Sequence, residues 1–475
     1  MTGYDRLSAL DSSFLHLESR TTPMHVGSVA IFEGAKFFDS SGRFRLSAVR
    51  DLVTARLHLI PRFRRRLMTV PMEQGRPIWV DDDRFDISYH VRLTALPAPG
   101  SWDQLRALTA RIQMPVLDRS HPLWELWFVE GLEAGRVALV QKTHHALVDG
   151  VSGVDVATVL LDFDQHAETE VARPWSPAPV PAPARLLADT MRERATEPSE
   201  LVRTARGLAR TPQRAATRVG EIGRAVRSLL GSSPLAPATS FNRPVGARRE
   251  FVGVTIDLVD VQRVRSHLGG TINDVVLAGV AGALRRRLIA RGEVLPDGVR
   301  VLCPVSVRGE DETKQLGNRV SAMFVALPIV EPDARVRLQM IGEVTRDLKE
   351  REQALGASFL LGLTEYAAPT LLGLAARLVH RQPFVNFVVT NVPGPQVPLY
   401  CLGARMIEAY PMVPLSHNLG LGIAILSYCG VLHIGLMADA AANPDLADFG
   451  VDLTAAFAEL GHAAVDIATE RETTG

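Results

Sequence analysis

The sequence predicts a mixed α/β protein built as two domains, and three observations carry that prediction. At 475 residues the chain is longer than one ordinary hydrophobic core organises. Short runs of β-branched and apolar residues alternate with longer runs of helical spacing through both halves. Composition shifts at Pro174, where Pro174-Trp175-Ser176-Pro177-Ala178-Pro179-Val180-Pro181-Ala182-Pro183 reads as a semi-rigid extended linker. The expected division is a first domain over 1–172, a linker with basic bridging helices over 173–240, and a second domain over 241–475. No internal repeat is visible, although the halves are alike in kind.

In the first half, Leu7 to Leu15 reads as a short helix, and Glu18 and Pro23-Met24-His25-Val26-Gly27 lead into a strand at Ser28–Phe32. An isolated Glu is usually an exposed charge, the reading the residues alone favour for Glu18, although a strand start so close to polar residues can also line a cavity. Leu46 to Leu59 has helical spacing. The basic run Pro61-Arg62-Phe63-Arg64-Arg65-Arg66-Leu67 reads as a solvated surface loop rather than a phosphate site. Trp79 to Arg92 looks like strand and turn, Leu105 to Met114 a helix stopped by Pro115, and Pro122 to Val129 a strand. Val137 to Thr143 is the next strand, and Val154 to Leu161 reads as a helix.

From Ala184 to Leu230 the chain is rich in Ala and Arg with a helical pattern, expected as a solvated bridge rather than a lipid-surface helix. The second half opens with a strand at Phe251–Ile256 and a helix ending at Gly269-Gly270. Thr271 then caps a helix with Asp274 three residues on, a capping-box pattern. Asn273, in that first turn, is either a local backbone partner or an amide presented to a reacting oxygen. Strands follow at Val301–Arg308, Met323–Leu327 and Asn386–Asn391. The apolar run from Ala354 to Val379 is expected as core helix or the wall of an apolar channel. Leu419 to Ala438 carries no Asp, Glu, Lys or Arg, but its glycines argue for two buried strands turning at Cys429-Gly430, not a membrane span.

Composition narrows the function classes. Basic and acidic residues balance at 52 each and hydrophobic content is 47%, an ordinary globular profile without the basic excess of a nucleic-acid binder. Three scattered cysteines make neither a disulfide framework nor a zinc site, which fits a reducing cytoplasm, and the N-terminus lacks a signal pattern. Chemistry concentrates in His144-His145-Ala146-Leu147-Val148-Asp149-Gly150, where a strand leaves its sheet. Neighbouring strand residues face opposite ways, so one histidine can work in a cavity while the other supports it. A neutral imidazole can take a proton from a hydroxyl or amine and return it. Asp149 can brace the loop, and Gly150 lets it turn. Metal binding is the weaker reading, because no metal-ligand spacing is present, and paired structural histidines are the plain alternative.

The motif matches the HHxxxDG signature of the acyltransferase superfamily that includes chloramphenicol acetyltransferase and peptide-synthetase condensation domains. Together with Pro23-Met24-His25-Val26-Gly27, Pro122-Leu123-Trp124-Glu125, Asn273-Asp274, the Pro304 to Arg308 segment and Asn391-Val392-Pro393-Gly394-Pro395, the chain resembles the bacterial wax ester synthase/acyl-CoA:diacylglycerol acyltransferase family over nearly its whole length. His121 stands where that family commonly has Arg. The resemblance implies two chloramphenicol-acetyltransferase-like domains with an active-site tunnel between them. It implies His145 as general base, His144 as its support, Asp149 as a structural brace and Asn273 as a further catalytic position. Glu18, Gly150, Pro122, Trp124 and Asn391 are implied to lie along the substrate path.

The implied reaction passes a fatty acyl group from acyl-CoA, a cosubstrate, to diacylglycerol or a long-chain alcohol, with no further cofactor and no metal. The partners are these lipids, with no nucleic acid, in the cytoplasm and at the inner membrane or lipid-droplet surface. No motif selects between monomer and homodimer. The alternatives are a condensation-like enzyme that uses a carrier protein, which the Pro-Leu-Trp and Asn-Val-Pro-Gly-Pro segments oppose, and a non-catalytic lipid-binding protein, which the intact His145/Asp149 pair opposes. No GxSxG elbow is present, so direct attack without an acyl-enzyme is expected.

Overall fold

The computed structural model describes residues 4–73, 75–148, 160–168, 170–196, 235–306, 320–355 and 384–474. Its strands are β1 (Asp5–Arg6), β2 (His25–Glu33), β3 (Arg65–Met68), β4 (Ile78–Asp81), β5 (Val91–Ala95), β6 (Trp124–Leu132), β7 (Arg136–His144), β8 (Arg249–Asp257), β9 (Val299–Ser306), β10 (Val320–Leu327), β11 (Phe387–Pro393), β12 (Tyr400–Cys401), β13 (Ala404–Met412), β14 (Leu421–Tyr428) and β15 (Val431–Asp439). The helices are α1 (Ala9–Leu17), α2 (Leu46–Arg56), α3 (Ile87–His90), α4 (Trp102–Gln113), α5 (Pro183–Thr196), α6 (Leu258–Leu268), α7 (Ile272–Ala290), α8 (Ala334–Leu355) and α9 (Leu446–Thr474).

Two six-stranded mixed sheets organise these elements, in the orders β12-β13-β2-β7-β6-β5 and β10-β9-β11-β14-β15-β8, and β1-β4-β3 form a smaller third sheet. This is the mixed α/β class the sequence predicts. The first sheet has a core on each face, as the two-residue strand period requires: Ala30 and Phe32 of β2 join one apolar cluster, Val29 and Ile31 the other. The second cluster also takes Phe251, Tyr410, Met412 and Met437, so it joins the two halves. Under the second sheet lies the largest core, where α7 is buried along most of its length. Gly279 and Gly282 let Phe457 and Ala456 of α9 approach it closely.

Several sequence expectations need correction. A division at 241 does not foresee that β12 and β13 return to the first sheet, where β13 pairs antiparallel with β2. The basic run at 61–67 is a 3-10 turn followed by β3, not a solvated loop, and Arg65 is paired to Asp5 and Asp81 across the small sheet. The described start of the basic region is no solvated bridge either. Leu186 of α5 is fully buried against Tyr4, Ile78 and Val80, and the Tyr4 hydroxyl donates to Asp189 at 2.7 Å. The proline-rich stretch has no regular secondary structure and lies on the first half, with the Arg64 guanidinium 4.5 Å over the Trp175 ring. The expected helix at 154–161 and the apolar run at 354–379 fall mostly or wholly outside the described residues. No described helix is long and apolar enough to cross a membrane.

Candidate active site

β7 ends at His144, and the chain turns at once into a 3-10 segment, His145–Leu147. Strand alternation puts Lys142 and His144 on one face of the sheet, and register sets His144 opposite His25 of β2. The turn, rather than continued alternation, carries His145 into different surroundings. Its backbone N–H donates to the Met24 carbonyl at 2.8 Å. Its half-buried ring stacks on Phe14, with centroids 3.9 Å apart and planes 24° from parallel. Burial, and after it the neighbouring His144, push the His145 imidazole down to about 4. At neutral pH the ring is therefore uncharged and able to accept a proton.

His144 is 1% exposed, and its Nδ1 accepts the Ala146 N–H at 3.0 Å. Its own proton then sits on Nε2, which faces Oε1 of Glu18 at 3.4 Å. The ring thus ties the turn carrying His145 to a fixed carboxylate. Glu18 closes α1, and its side chain is only 5% exposed, which overturns the exposed reading. Oε1 accepts from the Met24 N–H at 3.3 Å and Oε2 from Arg119 at 2.9 Å. Burial alone would raise this carboxyl, but its interactions with His144, then with Arg119 and His25, outweigh it and hold Glu18 at about 2. Phe14 and Glu18 are four residues apart, so one side of α1 supplies both the plate under His145 and the anchor for His144.

Behind them, Nε2 of His25 accepts the Leu117 N–H at 3.3 Å. Burial, then the charge of Lys142, push this ring well below the ordinary histidine range. Lys142 is 2% exposed and donates to the Ile112 and Pro115 carbonyls at 2.9 and 2.6 Å. It caps the C-terminal end of α4, where carbonyls lack partners and a cation is favoured. Burial pushes the Lys142 ammonium down to about 8.

The remaining candidates are placed differently. Pro122 is buried, and the Leu123 carbonyl accepts the His144 N–H at 2.9 Å, so this segment braces the end of β7. Trp124 is a core residue rather than a substrate contact: it is 1% exposed, its indole donates to the Phe63 carbonyl at 2.7 Å, and its ring stacks on His90. Asn273 is half-buried in the first turn of α7, beside the Thr271/Asp274 capping box, which forms as expected. Asn391 is half-buried on β11, paired with Ile425. Among the described residues no hydrogen bond joins either asparagine to the histidines. Asp149 and Gly150 lie outside the described residues. Sequence reading missed Phe14, His25, Arg119 and Lys142. Phe14 was within reach through its helical spacing from Glu18, whereas His25 and Lys142 needed the register of β2 on β7. Burial pushes the Cys303 and Cys401 thiols up to about 12, so neither offers a thiolate nucleophile.

Comparison with known proteins decides the family. The wax ester synthase/diacylglycerol acyltransferase catalytic domain matches residues 7–276, and the WS/DGAT C-terminal domain matches residues 316–461. The chain belongs to the wax ester synthase/diacylglycerol acyltransferase family. It is an acyltransferase, and the histidine cluster lies inside the segment that matches the catalytic domain. A Mycobacterium tuberculosis protein that carries the name of a diacylglycerol O-acyltransferase is 34% identical, over 93% of this chain and 87% of its own. The wax ester synthase/diacylglycerol acyltransferase of Marinobacter aquaeolei superposes with a TM-score of 0.66 at 27% identity, over 97% of this chain and 99% of that one. The starter condensation domain of rhizomide synthetase shares the fold, with a TM-score of 0.54 at 13% identity over 98% and 96% of the two chains.

Proposed function

We propose that this acyltransferase moves a fatty acyl group from acyl-CoA to the hydroxyl of diacylglycerol or a long-chain alcohol by direct attack, with His145 as general base. The observation that carries the proposal is the uncharged imidazole of His145, fixed between the Phe14 ring and the Met24 carbonyl at the end of β7. The acceptor oxygen attacks the thioester carbonyl carbon while His145 takes the hydroxyl proton. The tetrahedral adduct then expels the coenzyme A thiolate as the C–S bond breaks, and the imidazolium returns the proton to sulfur. His144 and Glu18 hold the turn that aims His145. The amide of Asn273 or a backbone N–H supplies the oxyanion donor, and Asp149 with Gly150 braces the loop after the turn. Base catalysis contributes on the order of 10²–10⁴-fold, and holding both substrates in line supplies much of the rest. The setting proposed is the cytoplasmic side of a membrane or lipid droplet, where both substrates partition.

Thiol release from palmitoyl-CoA, with hexadecanol, diacylglycerol or no acceptor, tests this directly. The wild type should release thiol in an acceptor-dependent way, and His145→Ala should lower kcat by about 10²–10⁴-fold while keeping the fold. Equal silence of the two proteins, with lipid binding intact in both, would leave a lipid-binding protein and refute the acyl-transfer reading.

A further inference from the structure

A second site stands apart from the histidines. A cavity of about 630 Å³ opens where α4 of the first half meets the start of β8 in the second, and Arg106, Arg111, Arg248 and Arg249 line it with Asp103 and Glu250. Two of the arginines form a fixed floor. Arg106 donates to the Phe251 carbonyl at 2.8 Å and to Asp103 at 2.9 Å, and buried Arg249 donates to the Gly246 and Thr21 carbonyls. Arg111 and Arg248 are exposed and have no ion-pair partner among the described residues. Four guanidinium groups against two carboxylates leave an excess of positive charge in a concave site. Its volume suits a small ligand rather than a flat macromolecular face. Guanidinium is also the side chain best matched to phosphate oxygens.

The cavity is close to the histidines by a route the structure gives. Arg249 holds the Thr21 carbonyl, and three residues on, the Met24 carbonyl accepts the His145 N–H. Three residues span at most about 11 Å. The floor of the cavity at Arg249 is therefore tied by a short chain segment to the turn that carries His145. We propose that this arginine cavity binds the phosphate groups of the coenzyme A moiety, so that the pantetheine arm delivers the thioester to His145. The assignment rests on the acyl-CoA reading above and gives that substrate its anchoring charge contacts. Anionic phospholipid headgroups share the phosphate chemistry, so the experiment separates the two sources.

The test is direct titration of the full chain with coenzyme A, with pantetheine, and with phosphatidylglycerol vesicles, by calorimetry or co-sedimentation. Wild type is compared with Arg111→Ala/Arg248→Ala and with Arg248→Glu. Both variants alter exposed side chains, so the fold should persist. Coenzyme A should bind the wild type, and the double variant should bind it at least about tenfold more weakly, as expected for lost charge-assisted contacts. Affinity should fall with added salt. Pantetheine affinity should be the same in all three proteins. Equal coenzyme A affinity in wild type and variants, or a loss confined to the vesicles, overturns the proposal; the latter result assigns the cavity to a lipid surface. The acyl-transfer reading fails separately: a wild type that binds coenzyme A through these arginines yet releases no thiol with any acceptor refutes that reading and leaves the cavity assigned.

Discussion

His144 and His145 are neighbours in the chain, yet each is fitted to a different task by what touches it. His144 is held at Nδ1 by the Ala146 N–H, and its Nε2 is buried facing the Glu18 carboxylate at 3.4 Å, which fits it for support rather than for contact with a substrate. His145 is held through its backbone N–H and its ring face rather than by a carboxylate, and burial keeps its imidazole uncharged. Because burial pushes His145 down to about 4, the acid limb of kcat/KM should fall near pH 4 rather than near 6.5. A pH–rate profile of thiol release checks this, and a limb at 6.5 would contradict it. Phe14→Ala would let water reach the ring, so the limb should move up toward 6.5 as kcat falls, whereas Phe14→Tyr should preserve the profile. Glu18→Gln removes the charge that faces Arg119 and His144 while keeping the shape. Loss of charge-assisted hydrogen bonds there should cost about 1–3 kcal/mol, read from the shift of a denaturant midpoint.

The elements meet where β13 leaves the second half to join the first sheet, and glycine makes that crossing possible. Gly435 of β15 pairs with Gly253 of β8, and β13 passes over the pair. A Cβ at Gly435 would sit 1.8 Å from the Pro411 carbonyl oxygen, and one at Gly253 would meet the Tyr410 ring at 2.8 Å. Gly→Ala ordinarily stabilises a regular element, but here the sign should reverse. Gly435→Ala should destabilise by about 3 kcal/mol or more, because backbone cannot yield. Gly253→Ala should cost less, because a ring can turn. Gly461→Ala in α9, with open space at its Cβ, should instead gain about 0.5–1 kcal/mol. Urea unfolding of the three variants would rank them. The same crossing marks how far the sequence could be read. The β14–β15 hairpin was legible because an uncharged apolar run is interrupted by Cys429-Gly430, and both residues take positive φ at the turn. The histidine motif was legible because its residue types are rare at that spacing. The return of β13 was not, because Arg405, Glu408 and Pro411 break the apolar alternation, and a pairing with β2 more than 370 positions away in sequence leaves no local trace. Glu18 was misread for a related reason: its partners Arg119 and His144 come from distant segments.

At the scale of the whole molecule, buried imidazoles should set the response to acid. His90, His145 and His433 are each pushed by burial from 6.5 down to about 4, and His25 is pushed well below 6.5. In the unfolded chain these rings take up protons near 6.5, so between pH 6.5 and 4 the unfolded state binds more protons than the folded state. Stability should therefore fall as pH drops through that window. Glu18 extends the loss: its ordinary value is 4.5 and its folded value about 2, so the stability it contributes above 4.5 disappears as pH falls toward 2. His433 isolates the effect. It is 2% exposed between Tyr410 and Tyr428, far from the chemistry of His145 in sequence, and neither ring nitrogen has a hydrogen-bond partner among the described residues. Its share of the acid loss should be on the order of 3 kcal/mol. His433→Phe keeps the ring and removes both the titration and the unpaired nitrogens. The variant should be at least as stable as wild type at pH 7, and its unfolding free energy should decline less steeply between pH 6.5 and 4. Denaturant titrations at half-unit pH intervals measure that slope. An unchanged slope would mean that His433 takes up its proton in the folded protein as easily as in the unfolded chain, and that the contact between the halves opens to water before the rest of the molecule unfolds.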